Sequence, residues 1–292
     1  MQILILKKAL DQALYVKLMV KKVNKFERSK AKLKNLSFAH LLPNMATVIA
    51  LCIGLSSIRF ALLERYDYAV IAIIIAAFFD AMDGRLARLL GAASDFGAEL
   101  DSLSDFISFG VAPAVVLYIL SMHVWAGLGW TIILFFVVCC GLRLARFNTN
   151  LRSSTSQEAP VWSKKFFIGV PAPAGAMIAL LPLILYQATE YEFFLTPFIM
   201  MCFLVSAGVL FISRLPTYSF KTYQIPPKCV PLMLVFVGLL VASLVSAPWP
   251  TFSCLIVAYL ISLIFSYRNY QDLLGETPSK IKSKNTPSSE NE

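Results

Sequence analysis

The chain has 292 residues, 58% of them hydrophobic and 15% charged, and its mean hydropathy is +0.70. A soluble domain of this length is closer to half apolar and a quarter charged, so a bilayer must cover part of the surface. These values exclude a disordered chain, a collagen-like fibre, a secreted disulfide scaffold and an ordinary soluble enzyme.

The N-terminal arm, 1–37, is strongly basic. Residues 1–40 hold ten Lys/Arg against Asp11 and Glu27, a net +8 out of the chain's +9. Beside membrane spans such an arm indicates anionic lipid headgroups rather than nucleic acid. Leu6, Leu10, Leu14 and Leu18 recur at helical spacing, which suits an amphipathic segment lying on the membrane; a solvated cytoplasmic leader fits as well. Lys7, Lys8 and Asp11 interrupt any apolar run that would make the arm a signal peptide.

Crossing roughly 30 Å of hydrocarbon takes about 20 apolar residues in a helix. Eight segments meet or approach this: 41–63, 68–89, 98–121, 125–147, 166–187, 196–213, 229–246 and 250–267. The fold class is therefore all-α and integral to the membrane. The last two segments are parted only by Ala247, Pro248 and Trp249, the weakest of the boundaries. A polar tail follows from 268, and its Ser-, Lys- and Pro-rich part from 272 has the composition of a disordered segment. With the basic arm inside, the loops divide Lys and Arg 24 to 2 between the two faces, only Arg59 and Arg65 falling outside. That asymmetry puts both termini in the cytoplasm. The six cysteines lie in or beside apolar runs without metal-ligand spacing and read as small hydrophobes.

One stretch violates bilayer logic. Asp80, Asp83, Asp95, Glu99, Asp101 and Asp105 fall where the second span ends and the third begins, with Arg85 and Arg88 among them. Ionisable residues in spanning helices cost several kcal/mol each and mark functional sites. Asp80 and Asp83, three apart, share one helical face; Asp101 and Asp105, four apart, share a face of the next helix. Two antiparallel helices can bring these four carboxylates together, and two divalent cations would offset their repulsion. Hard oxygen donors select Mg²⁺, Mn²⁺ or Ca²⁺ over zinc, and a two-metal carboxylate site suits phosphate esters. Gly84 leaves room for a phosphate beside the backbone, and Arg88 offers a fork for a pyrophosphate. Asp95 and Glu99 read as exposed loop and helix-start acids.

In full the stretch is Asp80-x2-Asp83-Gly84-x2-Ala87-Arg88-x8-Gly97-x3-Asp101-x3-Asp105, eight defined residues over 26 positions. It resembles the signature of the CDP-alcohol phosphatidyltransferases, with every fixed position filled. The resemblance implies a six-helix catalytic domain over 38–215, with 216–267 adding two further spans. It implies transfer of a phosphatidyl group from a CDP-linked lipid to an alcohol, with release of CMP. Asp80, Asp83 and Asp101 would be metal ligands, joined by Asp105, which is also the expected base for the incoming hydroxyl. Gly84, Ala87, Arg88 and Gly97 would shape the nucleotide and pyrophosphate pocket, and two Mg²⁺ or Mn²⁺ ions are the expected cofactors. A homodimer is also implied, though nothing in the residues requires one.

Asn44 and Thr47 at the start of the first span could reach the same pocket, or serve only to start the helix. Arg143, Arg146 and Asn148, ending the fourth span, are candidates for the acceptor; the two arginines also fit ordinary anchoring at the positive side. The Arg143-Leu144-Ala145-Arg146-Phe147-Asn148 stretch and the Pro171-Ala172-Pro173-Ala174 stretch resemble the membrane-integral bacterial branch of the family that transfers to L-serine from CDP-diacylglycerol. A sister activity with glycerol 3-phosphate, inositol phosphate or choline as acceptor stays open. So does, more distantly, a cation transporter using the acidic cluster as its path. The expected location is the bacterial inner membrane, with the site on the cytoplasmic side.

Overall fold

The computed structural model describes residues 41–92, 94–153, 166–213, 216–218 and 230–284. The basic arm, the Cys229 position and the ends of several loops lie outside the described residues.

Among the described residues the chain forms eight long helices, two short 3₁₀ turns (Met122–Trp125 and Glu192–Leu195) and one short antiparallel ribbon. The helices are α1 (Leu42–Leu62), α2 (Tyr66–Leu89), α3 (Asp95–Leu120), α4 (Ala126–Ser153), α5 (Ala172–Thr189), α6 (Pro197–Ile212), α7 (Val230–Ser246) and α8 (Pro248–Lys284). Strands β1 (Phe166–Ile168) and β2 (Pro216–Tyr218) pair with each other. Helices α1, α3, α4, α5 and α8 are long and apolar enough to cross a membrane; α6 and α7 are apolar but shorter. The protein is thus a multi-pass integral membrane protein. Helix α2 has 24 residues, and its last three turns carry the charges of the site.

Each of the eight segments expected to span is helical, with informative differences at their ends. Helix α3 starts earlier than expected because Ser94, in an extended conformation, caps it: its hydroxyl accepts from the Gly97 N–H at 3.0 Å. Helix α5 starts six residues later than expected. Gly169 takes φ +93 and Pro171 precedes the first turn, so the helix cannot extend back into Phe166–Ile168, which pairs as a strand instead. Helix α8 continues to Lys284, through much of the segment read as disordered. Extending a helix that already exists is far easier than nucleating one, and Gln271, Asp272, Leu273 and Leu274 do not oppose it.

Small residues set the packing around the site. On α1, Ala46, Ala50, Gly54, Ser57 and Ala61 form a buried stripe at three- and four-residue spacing. It lies against α2, whose Ala69, Ala72, Ile73 and Ala76 are buried. A side chain at Gly54 would collide with Ser108 of α3, so that crossing needs glycine. Helix α3 is not regular throughout: a π turn, Phe106–Val111, follows directly on Asp105. Pro113, next to the turn, lacks an N–H for the normal ladder, and the helix widens there.

The remaining core centres on α5, where Ala176, Ile178, Ala179, Leu180, Leu183 and Ile184 are buried. Gly175 abuts the Phe211 ring of α6, which also meets Phe136 of α4 at 5.4 Å. Helix α8 docks on α5 with Ile256 and Leu263 buried. Helix α7 has no buried residue and contacts α8. Its Leu232, Phe236 and Val245 are exposed, as lipid-facing side chains must be. The cysteines split: Cys139 and Cys140 are buried as expected, whereas Cys52, Cys202 and Cys254 face outward, and all five are free.

Candidate active site

The carboxylates that share faces in the sequence converge in space. One oxygen from each of Asp80, Asp101 and Asp105 lies within 4.8 Å of the others, all three residues being half-buried. Asp80 comes from the end of α2 and the other two from the first turns of α3, so the five-residue connection 90–94 folds one helix back beside the other. Spacing of this order fits a shared cation: donors at about 2.0–2.6 Å from an ion sit this close to one another. The donor chemistry fits too, since three carboxylates offer hard oxygens and no sulfur or imidazole. Asp105 adds a sharper sign, because its Oδ1 is buried with no hydrogen-bond partner.

The fourth expected ligand is placed differently. Asp83 is only 4% exposed, and its Oδ2 accepts from Thr47 Oγ1 at 2.6 Å. The Thr47 carbonyl in turn accepts from Ser104 Oγ at 3.3 Å, tying α1 to both other helices. Asp83 is therefore set beside the triad rather than within it, and it faces a pocket together with Asp101.

That pocket has a volume of about 140 Å³. Its walls include Asn44, Thr47, Asp83, Gly84, Ala87, Gly97 and Asp101, so all the residues expected around the nucleotide except Arg88 line it. At Gly84 a Cβ would meet no protein atom within 4 Å, so the space beside it is open. At Gly97 the reason for glycine is opposite: a Cβ would come 2.8 Å from Asn44 Oδ1 and 3.1 Å from Ser94 Oγ. Arg88 does not line the pocket. It is exposed, and its Nε donates to the Gly84 carbonyl at 2.9 Å, one turn back on α2. Asp95 is exposed in the first turn of α3.

Residues 40–213 match the family model for CDP-alcohol phosphatidyltransferase. The chain belongs to the CDP-alcohol phosphatidyltransferase family. It is similar to a protein of Mycobacterium leprae named CDP-diacylglycerol–serine O-phosphatidyltransferase, 38% identical over 78% of this chain and 75% of that one. A protein of the same name from Helicobacter pylori is 32% identical over 68% of this chain and 81% of its own length. One from Saccharomyces cerevisiae is 38% identical over a shorter stretch, 43% of this chain and 45% of its own length.

The segment matched by the family ends at α6, so α7 and α8 lie beyond it. Within it, the three acceptor candidates on α4 separate. Arg143 is half-buried, interacts electrostatically with Asp105 and Asp80, and has its Nη1 buried without a hydrogen-bond partner. Arg146 is exposed and donates from Nη1 to the Ile212 carbonyl at 3.1 Å, closing the end of α6. Asn148 is joined to Ser102 of α3, its Nδ2 donating to the Ser102 hydroxyl at 2.9 Å. Of these three, only Arg143 has a buried polar atom without a hydrogen-bond partner.

Two contributors escape sequence reasoning. Ser94 lines the pocket as well as capping α3, and its place before Gly97 was a usable cap signal. Tyr259 of α8 is the other: it interacts with Arg143, and its hydroxyl is buried without a partner. No local pattern announces it, since it lies in an otherwise apolar run.

Proposed function

We propose that this protein transfers the phosphatidyl group of CDP-diacylglycerol to L-serine, giving phosphatidylserine and CMP. The observation that carries the reading is the convergence of Asp80, Asp101 and Asp105 beside a pocket whose floor is left open at Gly84. The printed names of the relatives supply the donor and the acceptor.

In this reading the pocket between α1, α2 and the start of α3 holds the cytidine end, with Asn44 and Thr47 on one wall and Ala87 and Gly97 on the others. The lipid tails stay in the bilayer beside the exposed apolar faces. Asp80, Asp101 and Asp105, with Asp83 adjoining, would hold two divalent cations, Mg²⁺ or Mn²⁺. Such ions, when bound, offset the charge of the pyrophosphate and of the departing CMP. Thr47 fixes the Asp83 carboxylate, and Arg88 supplies positive charge at the pocket mouth. Arg143 orients the acceptor through its carboxylate. Asp105 takes the proton from the serine hydroxyl as that oxygen attacks the phosphorus bearing diacylglycerol. The bond from that phosphorus to the CMP oxygen breaks, and CMP leaves. Positioning and charge compensation supply most of the rate.

The excess of Lys and Arg on one face supports a site and both termini on the cytoplasmic side of a bacterial inner membrane. It also supports anionic lipids as partners of the basic arm; a second copy of the chain as partner rests on the family resemblance alone. The test is purified protein in detergent with CDP-diacylglycerol, Mn²⁺ or Mg²⁺, and labelled serine, run beside glycerol 3-phosphate, inositol phosphate and choline. A lipid-soluble product from serine, matched by CMP release, is expected. CMP release only with another alcohol would replace serine as the acceptor.

A further inference from the structure

Tyr259 lies on α8, beyond the segment that the family model matches. Its ring forms part of the wall of an apolar cavity of about 280 Å³, together with Ile74, Met177, Phe252 and Ile256. Its hydroxyl is buried and, among the described residues, has no hydrogen-bond partner. The charged group acting on it is Arg143, whose own Nη1 is buried and equally open. Arg143 also interacts with Asp105 and Asp80, two of the three converging carboxylates.

Buried donors without partners are rare because leaving them so is costly, and each such group calls for a reason. Here two occur together, an O–H and a guanidinium N–H, beside three carboxylates that could not serve as their partner while holding cations. Two such donors, one of them cationic, match a group with two acceptor oxygens and a negative charge. A carboxylate of a small acceptor has that form; an alcohol without one has nothing to offer the pair.

Resting on the serine reading above, we propose that Tyr259 and Arg143 together bind the carboxylate of the acceptor amino acid. The added C-terminal helix would thereby complete the acceptor subsite and take part in choosing the alcohol. The hydroxyl of the acceptor is left free to face Asp105.

The test compares kcat/KM for L-serine and for ethanolamine, which keeps the hydroxyl and the amine but lacks the carboxylate. Full-length wild type and Tyr259→Phe are assayed with saturating CDP-diacylglycerol and Mn²⁺. The preference for serine over ethanolamine should narrow about ten-fold in the variant, the scale of one hydrogen bond to a charged group. An unchanged preference, or equal losses with both alcohols, overturns the proposal. A wild type that does not use serine at all overturns the serine reading itself, whatever the variant does. The substitution removes an oxygen that holds no protein partner, so the fold should persist. The rise in melting temperature on adding serine gives a readout free of turnover: it should shrink in Tyr259→Phe, and an undiminished rise counts against the subsite.

Discussion

Thr47 Oγ1 lies 2.6 Å from Asp83 Oδ2, joining the start of α1 to the end of α2 inside the pocket wall. Because Asp83 is almost fully buried, this hydroxyl is what keeps its carboxylate aimed at the pocket. Thr47→Val keeps the shape and removes the donor. CMP release per unit of CDP-diacylglycerol should fall about 10- to 100-fold, the usual cost of losing the partner that orients a ligating carboxylate. Thr47→Ser should restore most of it. Equal activity in Thr47→Val and wild type would show that Asp83 needs no such support.

The two pocket glycines should respond differently to alanine. At Gly84 an added methyl meets no protein atom, so the melting temperature should hold while the KM for CDP-diacylglycerol rises about ten-fold or more, a steric loss of over 1 kcal/mol. At Gly97 the methyl runs into Asn44 and Ser94, so both stability and activity should fall, the former by about 1–3 kcal/mol as in other overpacked sites. Thermal melts in detergent beside initial rates separate the cases.

The triad sets a third expectation. Asp80→Asn and Asp101→Asn each remove one charge from the group of three oxygens. Both should lose Mn²⁺ binding, followed by electron paramagnetic resonance, together with activity by roughly a thousand-fold or more. Asp105→Asn should abolish turnover while CDP-diacylglycerol binding largely persists. Retained activity in Asp105→Asn would remove it as the base, and an Asp101→Asn protein with a normal Mn²⁺ response would break the shared site.

Arg143 and Arg146 sit three residues apart on α4 yet do different work. Arg146→Ala opens the end of α6 at Ile212 and should cost a few °C of melting temperature, about the scale of one hydrogen bond, with the KM for serine nearly unchanged. Arg143→Ala should raise that KM by about ten-fold or more. The reverse pattern would exchange their assignments.

Most of the donor half was legible because it is local. The carboxylates and glycines from Asp80 to Asp105 lie on two consecutive helices, where three- and four-residue spacing fixes which side chains share a face. The order of the eight helices follows from hydropathy, since lipid demands long apolar helices with every backbone group bonded within them. What depends on contacts between distant segments was not legible. The bonds of Arg146 to Ile212 and of Asn148 to Ser102, and the electrostatic interaction of Tyr259 with Arg143, each span 46 residues or more. The π turn after Asp105 had a cue only in Pro113, which is compatible with several helix distortions.

The division between near and far in the chain has an evolutionary reading. Every residue lining the pocket lies between Pro43 and Asp101, complete once three helices have been made, whereas the two buried donors without partners, on Arg143 and Tyr259, come from α4 and from α8 beyond the segment the family model matches. The later helices can therefore change in sequence without disturbing the pocket that the first three enclose.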